Sequence, residues 1–137
     1  MTEQNEPTND PGRMRWNRGG WLGGQLGGSC WMLVAGLLAI PADSSAAAMV
    51  LGLFTLANVA GWLIWRQREL LSPYKGLQLL VPVLGGCGIA AVYVLDRAGI
   101  YEEIQVGSSV TAWETYAILI IVVVALMIMF WWQNRQD

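Results

Sequence analysis

The sequence predicts an all-α polytopic membrane protein, built as a bundle of four transmembrane helices. Hydrophobic residues make up 55% of the 137 residues and charged residues only 13%, whereas an average soluble domain carries roughly a quarter charged residues. A chain this short cannot hide so much apolar surface inside a globule, because small domains bury the smallest fraction of their surface. Four uncharged stretches also have the length of a bilayer span.

Each predicted span is long enough for the hydrocarbon core, which is about 30 Å thick and needs about 20 residues of helix. The spans cover residues 21–40, 45–65, 77–95 and 113–132. Glu114, in the first turn of the fourth span, is the one formal charge inside them. Pro41 is expected to stop the first helix, and Asp43 or Ser44 to cap the second.

The region before the first span is predicted to be a disordered, partly basic tail, residues 1–18. Its first twelve residues are polar and almost free of apolar side chains, so they cannot bury the surface that folding requires. Residues 19–135 then form the transmembrane domain. A signal peptide cleaved near Ala42 is the alternative for the first span. An uncleaved helix is favoured because the apolar run starts at Trp21 and reaches full spanning length.

The basic residues predict the orientation of the chain. One side carries Arg13, Arg15, Arg18, Arg66, Arg68, Lys75 and Arg135. The other carries Arg97 together with Asp43, Asp96, Glu102, Glu103 and Glu114. Because cytoplasmic loops are enriched in Lys and Arg, both termini and the loop at 66–76 are expected to be cytoplasmic. The basic loops favour a bacterial inner membrane, with a plasma or organellar membrane as the alternative.

A run of paired glycines at the start of the first span is the most specific pattern. It comprises Gly19, Gly20, Gly23, Gly24, Gly27 and Gly28, and Gly61, Gly85, Gly86 and Gly88 extend it to the next two spans. A spacing of four puts small residues on one helix face, where two backbones approach closely in lipid. A nucleotide-binding loop is disfavoured, because no strand precedes the run and no P-loop lysine follows it. The run predicts a helix-packing stripe, against this chain or another one.

Four polar side chains form a candidate intramembrane layer: Gln25, Ser29, Thr55 and Asn58. At about 1.5 Å per residue, Gln25, Ser29 and Asn58 lie at one depth in the cytoplasmic half, with Thr55 slightly deeper. Buried amides seek partners, so hydrogen bonds between the first two helices are expected, each contributing about 0.6 kcal/mol. A solute- or ion-binding site is the alternative. It is disfavoured because no ionisable group marks a pathway.

The residue types argue against several kinds of chemistry. The chain has no His, which excludes imidazole catalysis and His metal sites. Cys30 and Cys87 lie near the predicted midplane without further ligands, so they are expected to be buried, apolar-behaving thiols with no metal. No cofactor is predicted. A net charge of −2 without a lysine-rich run argues against a nucleic-acid partner.

Three classes of function follow from these features. The first is a non-catalytic membrane subunit or assembly partner, surrounded by the lipid bilayer and bound to further copies or to another membrane protein. The second is a small-solute or ion channel or carrier that acts as a homo-oligomer. The third is a lipid-modifying enzyme, for which Ser29, Cys30 and Glu114 lie at different depths without a nearby base. The subunit is favoured, because every distinctive feature of the chain is a packing feature.

Overall fold

The computed structural model describes residues 14–104 and 110–136 of the chain, and this part is helical apart from its turns and its ends. The long helices are α1 (Arg18–Ala39), α2 (Ser44–Arg66), α3 (Pro73–Arg97) and α5 (Ala112–Gln136), with a short helix α4 (Tyr101–Ile104) between the last two. All four long helices are long and apolar enough to cross a membrane, α5 over Ala112–Gln133. The predicted all-α bundle of four membrane-spanning helices is confirmed.

Side-chain caps fix where α1 and α2 begin. The Asn17 Oδ1 atom accepts hydrogen bonds from the backbone N–H groups of Gly19 and Gly20, at 2.9 and 3.4 Å. Asp43 does the same for α2, with 2.9 Å to the N–H of Ser45 and 3.0 Å to that of Ala46. Such caps satisfy backbone donors that a helix leaves unpaired at its first turn. Of the two predicted caps for α2, the structure therefore uses the aspartate.

The third helix begins earlier than the apolar span predicted at 77–95. Pro73 is its first residue, and the Ser72 hydroxyl accepts a hydrogen bond of 3.3 Å from the Lys75 N–H. Proline is favoured at this position because its missing N–H would have had no helical partner. A capped, polar first turn therefore extends α3 beyond the apolar window from which the span was predicted.

The charged residue inside the fourth predicted span belongs to a capping box. Glu114 Oε2 accepts a hydrogen bond of 2.8 Å from the Thr111 N–H. The Thr111 hydroxyl in turn accepts one of 3.3 Å from the Glu114 N–H. Both exposed groups lie at the start of α5. This reciprocal arrangement stabilises a helix N-terminus, so Glu114 has a structural partner at the edge of the membrane.

The core lies between α1, α2 and α3. Small and medium side chains fill it, with Met32, Val50, Val92 and Leu95 almost completely buried. The helix α3 packs against both α1 and α2, whereas α5 packs chiefly against α3. No residue in the apolar span of α5 is buried within the described part of the chain. The fourth span is therefore attached to the bundle along one side only.

The two ends of the bundle differ in charge. The basic end holds the start of α1, the α2–α3 turn and the end of α5, with Arg18, Arg66, Lys75 and Arg135. The Arg66 guanidinium lies 5.0 Å from the Trp62 ring centre, and that of Arg135 lies 4.0 Å from the Trp131 ring centre. Such cation–π pairs suit a membrane boundary, where aromatic rings and basic side chains meet. The acidic end holds Asp43, Asp96, Glu102, Glu103 and Glu114.

A cluster of three tryptophans ties the N-terminal segment to the basic end. The Trp16 ring centre lies 5.0 Å from that of Trp21 and 5.6 Å from that of Trp65. The Trp16 indole N–H also donates a 3.0 Å hydrogen bond to the Leu71 carbonyl. Trp16, which the sequence assigned to the tail of residues 1–18, thus packs against the bundle. Of the disordered tail predicted for residues 1–18, residues 1–13 lie outside the described part of the chain.

Candidate functional site

The polar layer predicted between the first two helices is a connected network. The Gln25 Nε2 atom donates to the Asn58 carbonyl at 2.8 Å and to Asn58 Oδ1 at 3.1 Å. Asn58 Nδ2 donates to Ser29 Oγ at 3.1 Å and to the Phe54 carbonyl at 2.8 Å. The Ser29 hydroxyl donates to the Gln25 carbonyl at 2.8 Å. Three of the four predicted residues are therefore brought together at the α1–α2 interface.

The network is buried except at Asn58, which is half-buried. Gln25 is 4% exposed and Ser29 is 0% exposed. Gly61 makes room for the Gln25 amide, since a Cβ atom at this glycine would overlap it. The Trp21 indole N–H donates a 3.2 Å hydrogen bond to the Gly61 carbonyl on the side of the basic end. One buried atom, Gln25 Oε1, has no hydrogen-bond partner among the described residues.

Thr55 stands apart from this network. Its side chain is exposed, and its hydroxyl donates a 2.9 Å hydrogen bond to the Leu51 carbonyl of its own helix. Threonine commonly satisfies its hydroxyl this way when it lies within a helix. The sequence predicts a depth for Thr55 slightly beyond Asn58, but the direction of Thr55 around α2 keeps it out of the layer.

Replacing Asn58 by Leu is expected to lower the free energy of unfolding in detergent by about 1 kcal/mol or less, in line with hydrogen bonds between membrane helices. The Gln25 amide keeps the residue-58 carbonyl as an acceptor, and Ser29 keeps the Gln25 carbonyl. Reversible unfolding in mixed micelles measures the change. Val59→Leu, at an exposed neighbouring position, is the matched control. A loss above about 3 kcal/mol, the scale of a broken buried ion pair, would contradict a merely supporting role.

The glycine run of α1 is exposed along its whole length. A Cβ atom added at Gly23, Gly24 or Gly27 would meet nothing within 4 Å. At Gly19 and Gly20 it would meet only the Asn17 side chain that caps the same helix. Gly28 alone approaches another helix, since its Cβ would lie 3.0 Å from Leu84 Cδ1 of α3. Within the described part of the chain, this run therefore makes no tight helix contact before Gly28.

Two helix faces share the run. One, the outward glycine face, consists of Gly19, Gly23 and Gly27, and the exposed residues Leu26 and Cys30 continue it. The other turns toward α3 and α5, where Gly20, Gly24 and Gly28 line a groove, with Gly27 at its edge. Adjacent glycines in the sequence thus face different surroundings.

The groove beside the run, here called the basic-end groove, has a volume of about 500 Å³. Its floor is α3, with Leu80, Val81 and Leu84, and its far wall is α5, with Val122, Leu126 and Phe130. A second groove of about 540 Å³ continues toward the acidic end, where Tyr101 and Thr115 line it. Trp31 and Leu119 belong to both linings and separate them.

The tight glycine contacts lie elsewhere in the chain. A Cβ atom would overlap Leu51 at Gly36, the Trp16 ring at Gly76 and the Val123 side chain at Gly85. Gly86, beside the last of these, is exposed and open. The sequence placed Gly85 in the third span, as observed, but left Gly76 in the loop at 66–76, whereas it lies in the first turns of α3. Sequence reasoning missed the tryptophan cluster, for which the shared boundary position of Trp16, Trp21 and Trp65 was the available signal.

The cysteines do not form a reactive pair. Cys87 is buried, as predicted, whereas Cys30 is exposed, so the prediction that both thiols are buried is wrong for Cys30. The sequence predicts the depth of Cys30 along α1, but the position of Cys30 on the outward glycine face turns its side chain away from the core. Among the described residues, no three His, Cys, Asp or Glu side chains gather into a metal-binding group.

No protein-family model, curated protein or solved structure matches the chain. The features that bear on its function are the outward glycine face, the largely buried polar layer and the grooves beside α5. These features can hold helices and apolar molecules together within a bilayer.

Proposed function

We propose that the protein is a non-catalytic membrane subunit that assembles with a transmembrane helix from outside the chain through the outward glycine face. The observation that carries this proposal is the open space over Gly23 and Gly27, where an added Cβ atom would meet nothing within 4 Å. The helix α1 is long enough to cross a membrane, and from Gly19 to Gly27 it presents bare backbone to the bilayer on this face.

The energetics of membrane helices favour a helix as the occupant of this face. A helical glycine costs about 1 kcal/mol relative to alanine, so a run of glycines weakens α1 unless it serves close packing. Lipid tails are as apolar as leucine, and helices in a bilayer therefore associate through close van der Waals contact at small residues. A second copy of this chain and a different membrane protein are the two kinds of partner that fit.

A channel or carrier built around the polar layer is the alternative function. The burial of Gln25 and Ser29 supports the subunit over this alternative, because a neighbouring copy would find neither side chain at the surface. The side-chain donors of Gln25, Ser29 and Asn58 also find their acceptors within the network and on backbone carbonyls of α1 and α2. Solute flux through reconstituted protein, abolished by Asn58→Leu in a folded variant, is the result that would favour transport.

Crosslinking in native membranes tests the proposed assembly. A photoreactive amino acid at Leu26, on the outward glycine face, is expected to capture a protein partner. The same group at Ile121, which is 65% exposed on α5, is the matched control and should capture lipid. The mass of the adduct distinguishes a second copy from another protein. Equal protein capture at both positions, or none at Leu26, would contradict the proposal.

We further infer a bacterial inner membrane with both termini in the cytoplasm, because the basic residues gather at one end of the bundle. Single cysteines at Leu70 and Glu102, both exposed, report the two sides once Cys30 and Cys87 are replaced by Ser. In intact cells, an impermeant thiol reagent should label the cysteine at 102, and the one at 70 only after permeabilisation. Labelling of both from outside would overturn this threading.

A further inference from the structure

The basic-end groove is an apolar site of ligand size. Its volume of about 500 Å³ falls within the range of roughly 300–1,000 Å³ found for small-molecule sites. Glycines of α1 form one wall, and leucine, valine and phenylalanine side chains of α3 and α5 form the rest. Because α5 packs chiefly on α3, the groove stays open along the side that faces the bilayer. An occupant is therefore a membrane component with a slender apolar part.

The depth of the groove matches one leaflet. From Gly20 to Trp31, α1 rises about 16 Å, close to half of the roughly 30 Å hydrocarbon core. Trp31 then closes the groove: a Cβ atom at Gly88 would lie 3.3 Å from its ring and 3.8 Å from Leu119. A transmembrane helix lying in this cleft would have to cross both leaflets past that ring. An acyl chain has to cross only one.

The mouth of the groove carries positive charge. Arg15 is the one charged residue among the described residues that line it. Arg18 and Lys75, both exposed, lie in the first turns of α1 and α3 at the same end, where helix dipoles also favour an anion. The acidic side chain described at this end, Glu69, lies 4.0 Å from Arg68. The second groove, toward the acidic end, has no basic residue among the described residues that line it.

We propose that the basic-end groove binds one acyl chain of an acidic phospholipid from the leaflet at the basic end, with the phosphate headgroup at Arg15. Gly20 and Gly24 keep the groove wide enough for the acyl chain, and Trp31 blocks the acyl chain from passing beyond the midplane. This inference goes beyond the proposed assembly, because it uses the groove face of the glycine run. The outward glycine face remains available to a helix.

Native mass spectrometry tests this site with phosphatidylglycerol and phosphatidylcholine of identical acyl chains, added in equal amounts to the purified full chain. We expect preferential retention of phosphatidylglycerol. Arg15→Gln should weaken phosphatidylglycerol binding about fivefold, since each basic residue near an anionic surface contributes about this factor. It should weaken phosphatidylcholine binding less, because the choline cation offsets the charge of the phosphate. Equal retention of the two lipids by the unmodified protein, or an equal loss of both in Arg15→Gln, would overturn the headgroup assignment.

Two groove variants test the acyl-chain site. Gly24→Leu has room to fold and should reduce binding of both lipids at least about fivefold, the low end of the cost of overpacking a close contact. Val122→Phe places a larger side chain on the opposite wall of the groove, and it should also reduce the binding of both lipids. Gly23→Leu, one residue away on the outward face, should retain the lipid. Unchanged lipid binding in both groove variants, or release of a polypeptide instead of lipid by Gly24→Leu, would refute the proposal. Neither outcome affects the proposed assembly, which depends on Gly23.

Discussion

A Gly85→Leu variant is expected to lose about 1–3 kcal/mol of the free energy of unfolding, the usual cost of overpacking a tight contact. A Cβ atom at Gly85 would overlap the side chain of Val123 on α5. Valine is stiff at χ1, so it cannot swing aside, and the leucine must push the two helices apart. Because α5 packs chiefly on α3, no other long helix holds the fourth span in place. The variant should therefore separate α5 from the bundle before the rest unfolds.

Gly86→Leu is the matched control for this prediction. Gly86 is the next residue of the same helix, it is exposed, and a Cβ atom there would meet nothing within 4 Å. The substitution should leave the stability unchanged or raise it by up to about 1 kcal/mol, because leucine favours a helix over glycine. Denaturation in mixed micelles, followed by tryptophan fluorescence, compares the two variants. Equal stabilities would mean that the α3–α5 contact contributes little.

The positions of the four spans followed from the sequence because their cause is local. A run of apolar residues as long as the bilayer is thick predicts a helix wherever it occurs. The ends of the helices depend on smaller features, and α3 starts at Pro73 because Ser72 caps it. The pattern of apolar residues alone gives no information about such caps. The short helix α4 was missed for the same reason, since Tyr101–Ile104 lies in a polar loop.

Direction around a helix was harder to predict than depth along it. Gln25, Ser29 and Asn58 share one depth and are joined by hydrogen bonds, while Thr55, at nearly the same depth, faces away. The same difficulty applies to Cys30 and to the glycine run. A pattern of small residues shows that a close contact is sterically allowed, but the neighbours that approach it are set by the packing of the whole bundle. The groove beside α5 exists only in that packing.

A Gly23→Leu variant is expected to weaken the assembly by about 1–3 kcal/mol, the cost of overpacking a close contact, or roughly 5- to 150-fold in affinity. The fold itself should be unaffected, because a Cβ atom at Gly23 meets nothing within 4 Å in the chain. Any loss must therefore arise from a partner outside it. Gly24→Leu, the adjacent substitution on the groove face, is the matched control. It introduces the same side chain and the same gain in helix propensity while leaving the outward glycine face bare.

The mass of the particle extracted with its native lipids tests the assembly most directly. We expect the unmodified protein, and Gly24→Leu with it, to be recovered in a particle with more protein than one chain of 15.0 kDa. Gly23→Leu should be recovered as a single folded chain. Recovery of the unmodified protein as a single chain with no other protein would contradict a helix-docking role for the outward glycine face. An unchanged assembly in Gly23→Leu would contradict it as well.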